Sequence, residues 1–343
     1  MYGDKRSEGG KSIRMSWISE DSSSLLSKFC ASILKAGPMP RHIAFIMDGN
    51  RRFAQKRHVE RHQGHTQGFE KLAQTLKWCL DLGIHEVTVY AFSIDNFKRS
   101  KEEVDSLMEL ARNKFSRLLE EIDNLKKHGV CIRVLGDLKL LPKDIQVLIA
   151  HAVVATRHHN KCFLNVCFAY TSRHEITDAV REMAWGVEQG LILPSDITEE
   201  LLGKCLYTRH SPDPDLLIRT SGEVRLSDFL LWQTAYTCLV FQSVLWPEFS
   251  VWHLHHAVLQ YQANYTAIQK AREAQQAETA WHEHHADLEV LCAREGSEDE
   301  NELMLATTTD ERRQRTQVFL QALDRKWDLF IKELCASSPV TVC

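Results

Sequence analysis

The stretch HIAFIMDGNRRFAQ (residues 42–55) decides how the chain is read. Its first part, HIAFIM (42–47), is almost wholly apolar and has the length of a strand buried on both faces. The run ends at Asp48, and Gly49 permits a sharp turn into a helix that carries Arg51 and Arg52. The first turn of a helix offers free N–H groups at the positive end of its dipole, so a diphosphate can bind there while arginines grip its oxygens. An aspartate beside such an anion is repelled unless a cation lies between them, and Mg2+ bound to diphosphate supplies that cation. Taken alone, the segment has a second reading, an Asp that caps a helix and does nothing more.

Two other segments carry similar groups. AFSIDNFKRSKEEV (91–104) places Ser93, Asn96 and Arg99 just past an apolar run, and DLLIRTSGEVRLSDFLLWQ (215–233) ends a run at Arg219, passes Ser221-Gly222 and presents Arg225 and Ser227. Each arginine by itself reads first as half of a surface ion pair, the commoner case. Together the three segments describe a crevice with two diphosphate pockets.

Farther out, short apolar runs alternate with helical patterns from residue 40 to about 262. The runs at 42–47, 87–92, 131–136, 163–170, 215–219 and 238–242 predict strands, and helices are predicted at 66–82, 101–128, 142–159, 173–189, 228–236 and 250–264. Near-continuous apolar strands in βα repeats imply an α/β fold with a mostly parallel six-stranded sheet, its site at the carboxyl ends of the strands.

Composition narrows the class further. With 44% hydrophobic and 26% charged residues among 343, the chain is neither collagenous nor disordered, and a net charge of −4 lacks the basic excess that non-specific nucleic-acid binding needs. Ten cysteines without a CxxC pair point to free thiols in a reducing compartment. No run of 18 apolar residues marks a membrane span. The histidine groups at 158–159, 253–256 and 282–285 lack the cysteine or carboxylate spacing of a zinc site.

The ends differ from the centre. Residues 1–22 are polar and read as a disordered leader, within which the first 14 precede an alternative start at Met15. Over 23–37 a serine run precedes Leu25, Leu26, Phe29, Ile33 and Leu34 on one helical face, stopped at Gly37-Pro38. That helix either packs on the body or lies on a membrane surface or at an apolar entrance. Residues 38–262 read as the catalytic domain, and 263–343 as an assembly region of two amphipathic helices joined by an acidic linker at about 295–309. Their stripes, with Trp281, Trp327 and Phe330, need a covering surface.

In order along the chain stand MDGNRR (47–52), GHTQG (64–68), the Ser93 to Arg99 segment, IRTSGEVRLSDFLLWQ (218–233) and WPEF (246–249). On these motifs the chain resembles the cis-prenyltransferases, the undecaprenyl diphosphate synthase-like family, over about residues 24–262, and within it the eukaryotic dehydrodolichyl diphosphate synthase catalytic subunits. The resemblance implies an apolar tunnel enclosed by helices and a Mg2+-dependent condensation of isopentenyl diphosphate onto farnesyl diphosphate, giving a long polyprenyl diphosphate, the dolichol precursor used in protein glycosylation. It implies Asp48 as the metal-linked aspartate, with Gly49, Arg51, Arg52 and Arg99 around the allylic diphosphate. Arg219, Arg225 and Ser227, with Arg52 and Arg99, fall to isopentenyl diphosphate, and Ser93 and Asn96 to the reacting carbons. Arg61 and His65 match further positions near the phosphates, His65 being equally readable as structural.

The chain departs from the bacterial homodimers at two places. Their metal-supporting His and Glu are replaced by Val224 and Cys238, and the chain ends ELCASSPVTVC in place of an Arg-x-Gly signature. Both departures imply a heteromer in which a Nogo-B receptor-like subunit supplies Arg-x-Gly, held peripherally at the cytoplasmic face of the endoplasmic reticulum membrane. Two rivals are weaker. A phosphohydrolase DxD pattern fails because Asn50 stands where the second acid belongs, and a non-catalytic scaffold is expected to lack Asp48 and the arginine sets.

Overall fold

A computed structural model of the chain describes residues 25–295 and 301–337. The run read first, His42–Ile46, is β1, and all five of its residues are buried. It sits inside a sheet with β2 (Glu86–Ser93), β3 (Val130–Leu135), β4 (Cys162–Tyr170), β5 (Leu216–Arg219) and β6 (Cys238–Phe241), in the order β3-β4-β2-β1-β5-β6. Every adjacent pair is parallel. The chain leaves β1 toward β2 on one side and later adds β5 on the other, so the strand order reverses beside β1. The crevice of an open α/β sheet forms at such a reversal, beyond the carboxyl ends of the strands.

The helices are α1 (Leu25–Leu34), α2 (Asn50–Arg57), α3 (Arg61–Leu82), α4 (Lys101–Glu120), α5 (Ile122–His128), α6 (Lys143–Thr156), α7 (Ser172–Glu188), α8 (Glu199–Cys205), α9 (Val251–Glu295) and α10 (Asn301–Ser337). All six expected strands form. The helix expected over 101–128 is interrupted at Glu121, and α8 had no counterpart in the sequence reading.

Residues 228–236 do not form the expected helix. They fold as turns in which Ser227, Asp228 and Leu230 take positive φ of 51°, 60° and 48°. The apolar spacing of SDFLLWQ mimics a helix, but tertiary bonds override it. Ser227 Oγ accepts from Arg219 (2.6 Å), Asp228 accepts from Arg173 (3.0 Å), and Gln233 donates to Glu175 (3.0 Å) and Thr208 (2.8 Å). Left-handed backbone costs non-glycine residues about 1–3 kcal/mol each and persists only where the surroundings impose it.

The WPEF motif ties α3 to the end of β1. Trp246 stacks on Phe249 and lies 5.9 Å from Phe45 of β1, its indole N–H donates to the Gly68 carbonyl of α3 (2.7 Å), and its backbone N–H donates to the Asp48 carbonyl (3.0 Å).

At the ends, the helix expected to stop near 264 continues unbroken as α9 to Glu295, and the part of the acidic linker from 301 to 309 is helical. Neither Pro nor Gly occurs over 301–309 to stop it. The leader at 1–22 and the link at 296–300 lie outside the described residues. On α10, Phe319 and Leu323 are buried against α7 and α8, and Ile331 and Leu334 join the main core. Trp327 and Phe330 pack at the edge of that core, whereas Trp281 remains half exposed and stacks on His285. The helix α1 lies on α9, where Gln262 donates to the Leu34 carbonyl (2.7 Å). Its Leu25, Leu26, Phe29 and Ile33 face outward, Leu25 being 86% exposed.

Candidate active site

Asp48 follows β1 directly, and its position is fixed from both sides. Its N–H donates to Thr220 Oγ1 (3.1 Å), and the Thr220 hydroxyl donates back to the Asp48 carbonyl (2.7 Å). Gly49 then turns the chain at φ 111°, and a Cβ there would stand 3.0–3.1 Å from Leu245. Only glycine meets both conditions. The first turn of α2 therefore opens onto the crevice beside the aspartate.

The Asp48 carboxylate accepts from Arg219 Nη2 (3.0 Å) and from Arg52 Nη2 (3.4 Å). Burial pushes its pKa up, but the bonds from Arg219 and Ser221 and the charges of Arg219 and Arg52 prevail and hold it below the usual carboxylate value. It is an anion at neutral pH. Arg219 is 3% exposed: one arm takes the Arg225 carbonyl and Ser227 Oγ, the other takes Asp48, and its buried Nε has no hydrogen-bond partner. Arg52 reaches across to Ser221 Oγ (2.6 Å) and its carbonyl (3.0 Å), tying α2 to the turn after β5.

A second cationic group lies beyond β2. Ser93 Oγ accepts from the Asp95 N–H and Asn96 Oδ1 from the Ser93 N–H, a reciprocal cap that fixes both residues at the lip of the crevice. Arg99, Arg61 and Arg51 all turn toward Glu103 of α4, at 2.7, 3.2 and 3.8 Å. Beside them His65 leaves Nε2 buried without a hydrogen-bond partner, and burial, with the charges of Arg99 and Arg51 against that of Glu103, lowers its pKa to about 4. It is neutral at physiological pH.

The twelve candidate substrate- and metal-binding residues read from the sequence line one cavity of about 860 Å3: Asp48, Gly49, Arg51, Arg52, Arg61, His65, Ser93, Asn96, Arg99, Arg219, Arg225 and Ser227. Three carboxylates that pair with arginines escaped the sequence reading. Glu103 and Glu223 pair with the arginines, Glu223 contacting both Arg52 (3.6 Å) and Arg225, and Asp228 anchors Arg173 on the far wall. No local signal marked Glu103, because Arg99 precedes α4 and Arg51 and Arg61 come from other elements.

Val224 is 78% exposed, and Cys238 pairs with Leu216 at the amino end of β5, three residues before Arg219. That is about 10 Å from the crevice at strand rise. Asp137, His174 and Asp178, with ligand atoms within 4.8 Å of one another, are the one group among the described residues placed to share an ion. Asp137 and Asp178 line a separate cavity of about 270 Å3 under α10, away from Asp48.

Residues 46–269 match the family described as putative undecaprenyl diphosphate synthase, more than half of the chain. The chain belongs to this family. It is thus a prenyltransferase, a transferase enzyme. Relatives of this prenyltransferase include the human protein named dehydrodolichyl diphosphate synthase complex subunit, 64% identical over 91% of this chain and 96% of that one. A Pyrococcus abyssi protein named tritrans,polycis-undecaprenyl-diphosphate synthase (geranylgeranyl-diphosphate specific) is 48% identical over 66% of this chain and 85% of its own. Among solved structures, lavandulyl diphosphate synthase from Lavandula x intermedia in complex with dimethylallyl diphosphate superposes with a TM-score of 0.62 at 34% identity, covering 65% of this chain and 95% of that one.

Proposed function

We propose that this prenyltransferase condenses isopentenyl diphosphate units onto farnesyl diphosphate to build a long polyprenyl diphosphate of the dehydrodolichyl type. The observation that carries the reading is the placement of one ionised aspartate between two arginine groups in a single cavity, Arg51 and Arg99 on one side and Arg219 and Arg225 on the other.

A single deprotonated carboxylate at the mouth of a diphosphate pocket suits Mg2+, which binds through one or two carboxylates together with substrate phosphates. Asp48 would hold it. When bound, the ion neutralises charge on the departing diphosphate. The protein's own groups do the rest. Arg51, Arg52, Arg99 and the N–H groups of the first turn of α2 receive the allylic diphosphate and stabilise its charge more as the C–O bond lengthens. Arg219, Arg225 and Ser227 hold isopentenyl diphosphate, with Arg52 spanning the two pockets. Ser93 and Asn96 form the lip next to the reacting carbons, and the apolar layer around Phe92 and Leu107 keeps water from them.

The second subunit belongs to the same reading. With Val224 solvent-facing and Cys238 about 10 Å from Arg219, this chain offers Asp48 no support at those two positions. A Nogo-B receptor-like partner bearing Arg-x-Gly would complete the site. No helix of the described residues is long and apolar enough to cross a membrane. The outward face of α1 supports peripheral attachment to the endoplasmic reticulum, where so apolar a product is retained.

Incubation with labelled isopentenyl diphosphate, Mg2+ and either farnesyl or geranylgeranyl diphosphate, with and without the partner, tests the proposal. Long products from farnesyl diphosphate are expected. Extension of geranylgeranyl diphosphate alone would reassign the starter, and no extension of either would overturn the reading.

A further inference from the structure

Three arginines converge on one carboxylate that is itself hidden from the cavity. Glu103 is 9% exposed and does not line the crevice, whereas Arg51, Arg61 and Arg99 do. Arg99 and Arg61 donate to opposite oxygens, Oε1 and Oε2, and Arg51 lies 3.8 Å from Oε1. The three come from α2, α3 and the segment before α4, so no element of secondary structure holds their guanidinium groups in common. Left to themselves, like charges at this spacing repel and long side chains scatter among rotamers. Glu103 is in turn fixed on the first turn of α4, where the N-cap Ser100 Oγ accepts its N–H (3.4 Å) and the helix dipole favours its charge.

We propose that Glu103 is a positioning residue that holds Arg51, Arg61 and Arg99 in the arrangement the allylic diphosphate requires; this rests on the reading of the cavity as an allylic diphosphate site. The carboxylate touches no substrate. It orders the donors before the anion arrives, and it cancels part of their charge while doing so. These two effects oppose each other in an experiment. Removing the charge raises the positive potential felt by any diphosphate, which favours ground-state binding. It also releases the donors from the geometry that stabilises the departing group, which slows turnover.

The test uses the full chain with its partner subunit and Mg2+, comparing wild type with Glu103→Gln and Glu103→Asp. Glu103→Gln is expected to lower kcat by about 10-fold or more while binding inorganic diphosphate several-fold more tightly by calorimetry. Glu103→Asp, which keeps the charge on a shorter stem, is expected to keep wild-type affinity and recover part of kcat. An unchanged kcat in Glu103→Gln, or weaker diphosphate binding, overturns the inference. Should Glu103→Gln fail to fold, as seen by thermal unfolding, Glu103→Asp decides: unchanged affinity with a lower kcat supports the role, and wild-type kcat overturns it. A wild-type enzyme that does not condense overturns the functional reading instead, and diphosphate binding alone then judges Glu103.

Discussion

Asp48 is the residue on which the chemistry turns, and it holds no core position. Asp48→Ala is expected to lower condensation by at least 10²–10³-fold, on the order of the loss of one preorganised electrostatic group, with an unchanged far-ultraviolet circular dichroism spectrum. Near-normal turnover at saturating Mg2+ would remove it from the mechanism. Arg225 is expected to act on the other substrate. Arg225→Ala removes a charge-assisted contact of about 1.5–3 kcal/mol, roughly a 10- to 100-fold rise in KM for isopentenyl diphosphate. A defect confined to the allylic substrate would mean that the two pockets are exchanged. His65 is expected to show in stability. Its folded pKa of about 4 lies below its ordinary value of 6.5, so its neutral form stabilises the fold fully above pH 6.5 and that contribution is lost as pH falls toward 4. His65→Gln should flatten the pH dependence of the unfolding midpoint across that window, and parallel curves for the two proteins would count against it. At this scale the sequence was informative where a residue ends an apolar run, as Asp48 and Arg219 do. It was silent on Glu103 and Glu223, because an acid within a mixed run of lysines and glutamates looks like any solvated helix surface until its partners are brought from other elements.

Among the elements, α2 and α3 meet through glycine. A Cβ on Gly64 would stand 2.5 Å from the Asn50 carbonyl oxygen, and that oxygen belongs to backbone at the start of α2. Gly64→Ala should destabilise by about 1–3 kcal/mol and, by shifting Arg51 and Arg52, reduce turnover more than stability alone explains; a variant with wild-type kcat would show that α2 absorbs the shift. The outward face of α1 sets another expectation. Exchanging Leu26 and Phe29 for Asp should weaken flotation with phospholipid vesicles, since each buried apolar side chain contributes about 1.5–3 kcal/mol, and unchanged flotation would separate α1 from the membrane. The strands were legible because buried parallel strands are continuously apolar. The turns over 227–236 were not, because their side chains keep a helical rhythm while the backbone is held in left-handed conformations by Arg219, Arg173 and Glu175.

For the whole molecule, assembly is the open variable. The isolated chain should condense about 10³-fold more slowly than the complex, and addition of a homologous subunit ending in Arg-x-Gly should restore the rate. Full-rate synthesis of long products by the purified chain would make it self-sufficient. One more consequence follows from α9, whose 45 residues extend about 68 Å at helical rise. The catalytic body grips its earlier turns, Arg272 donating to Asp215 (2.7 Å) and Gln275 to Glu199 (3.4 Å). The residues after Gln275 add roughly 30 Å of helix, along which α10 returns, Arg312 meeting Asp287 at 3.1 Å. A compact chain of this length has a radius of gyration near 20 Å, which for a sphere means a diameter of about 50 Å, shorter than that helix. In a centrifuge the molecule should therefore drag more than its mass warrants, and in solution it should tumble faster about the long axis of α9 than across it.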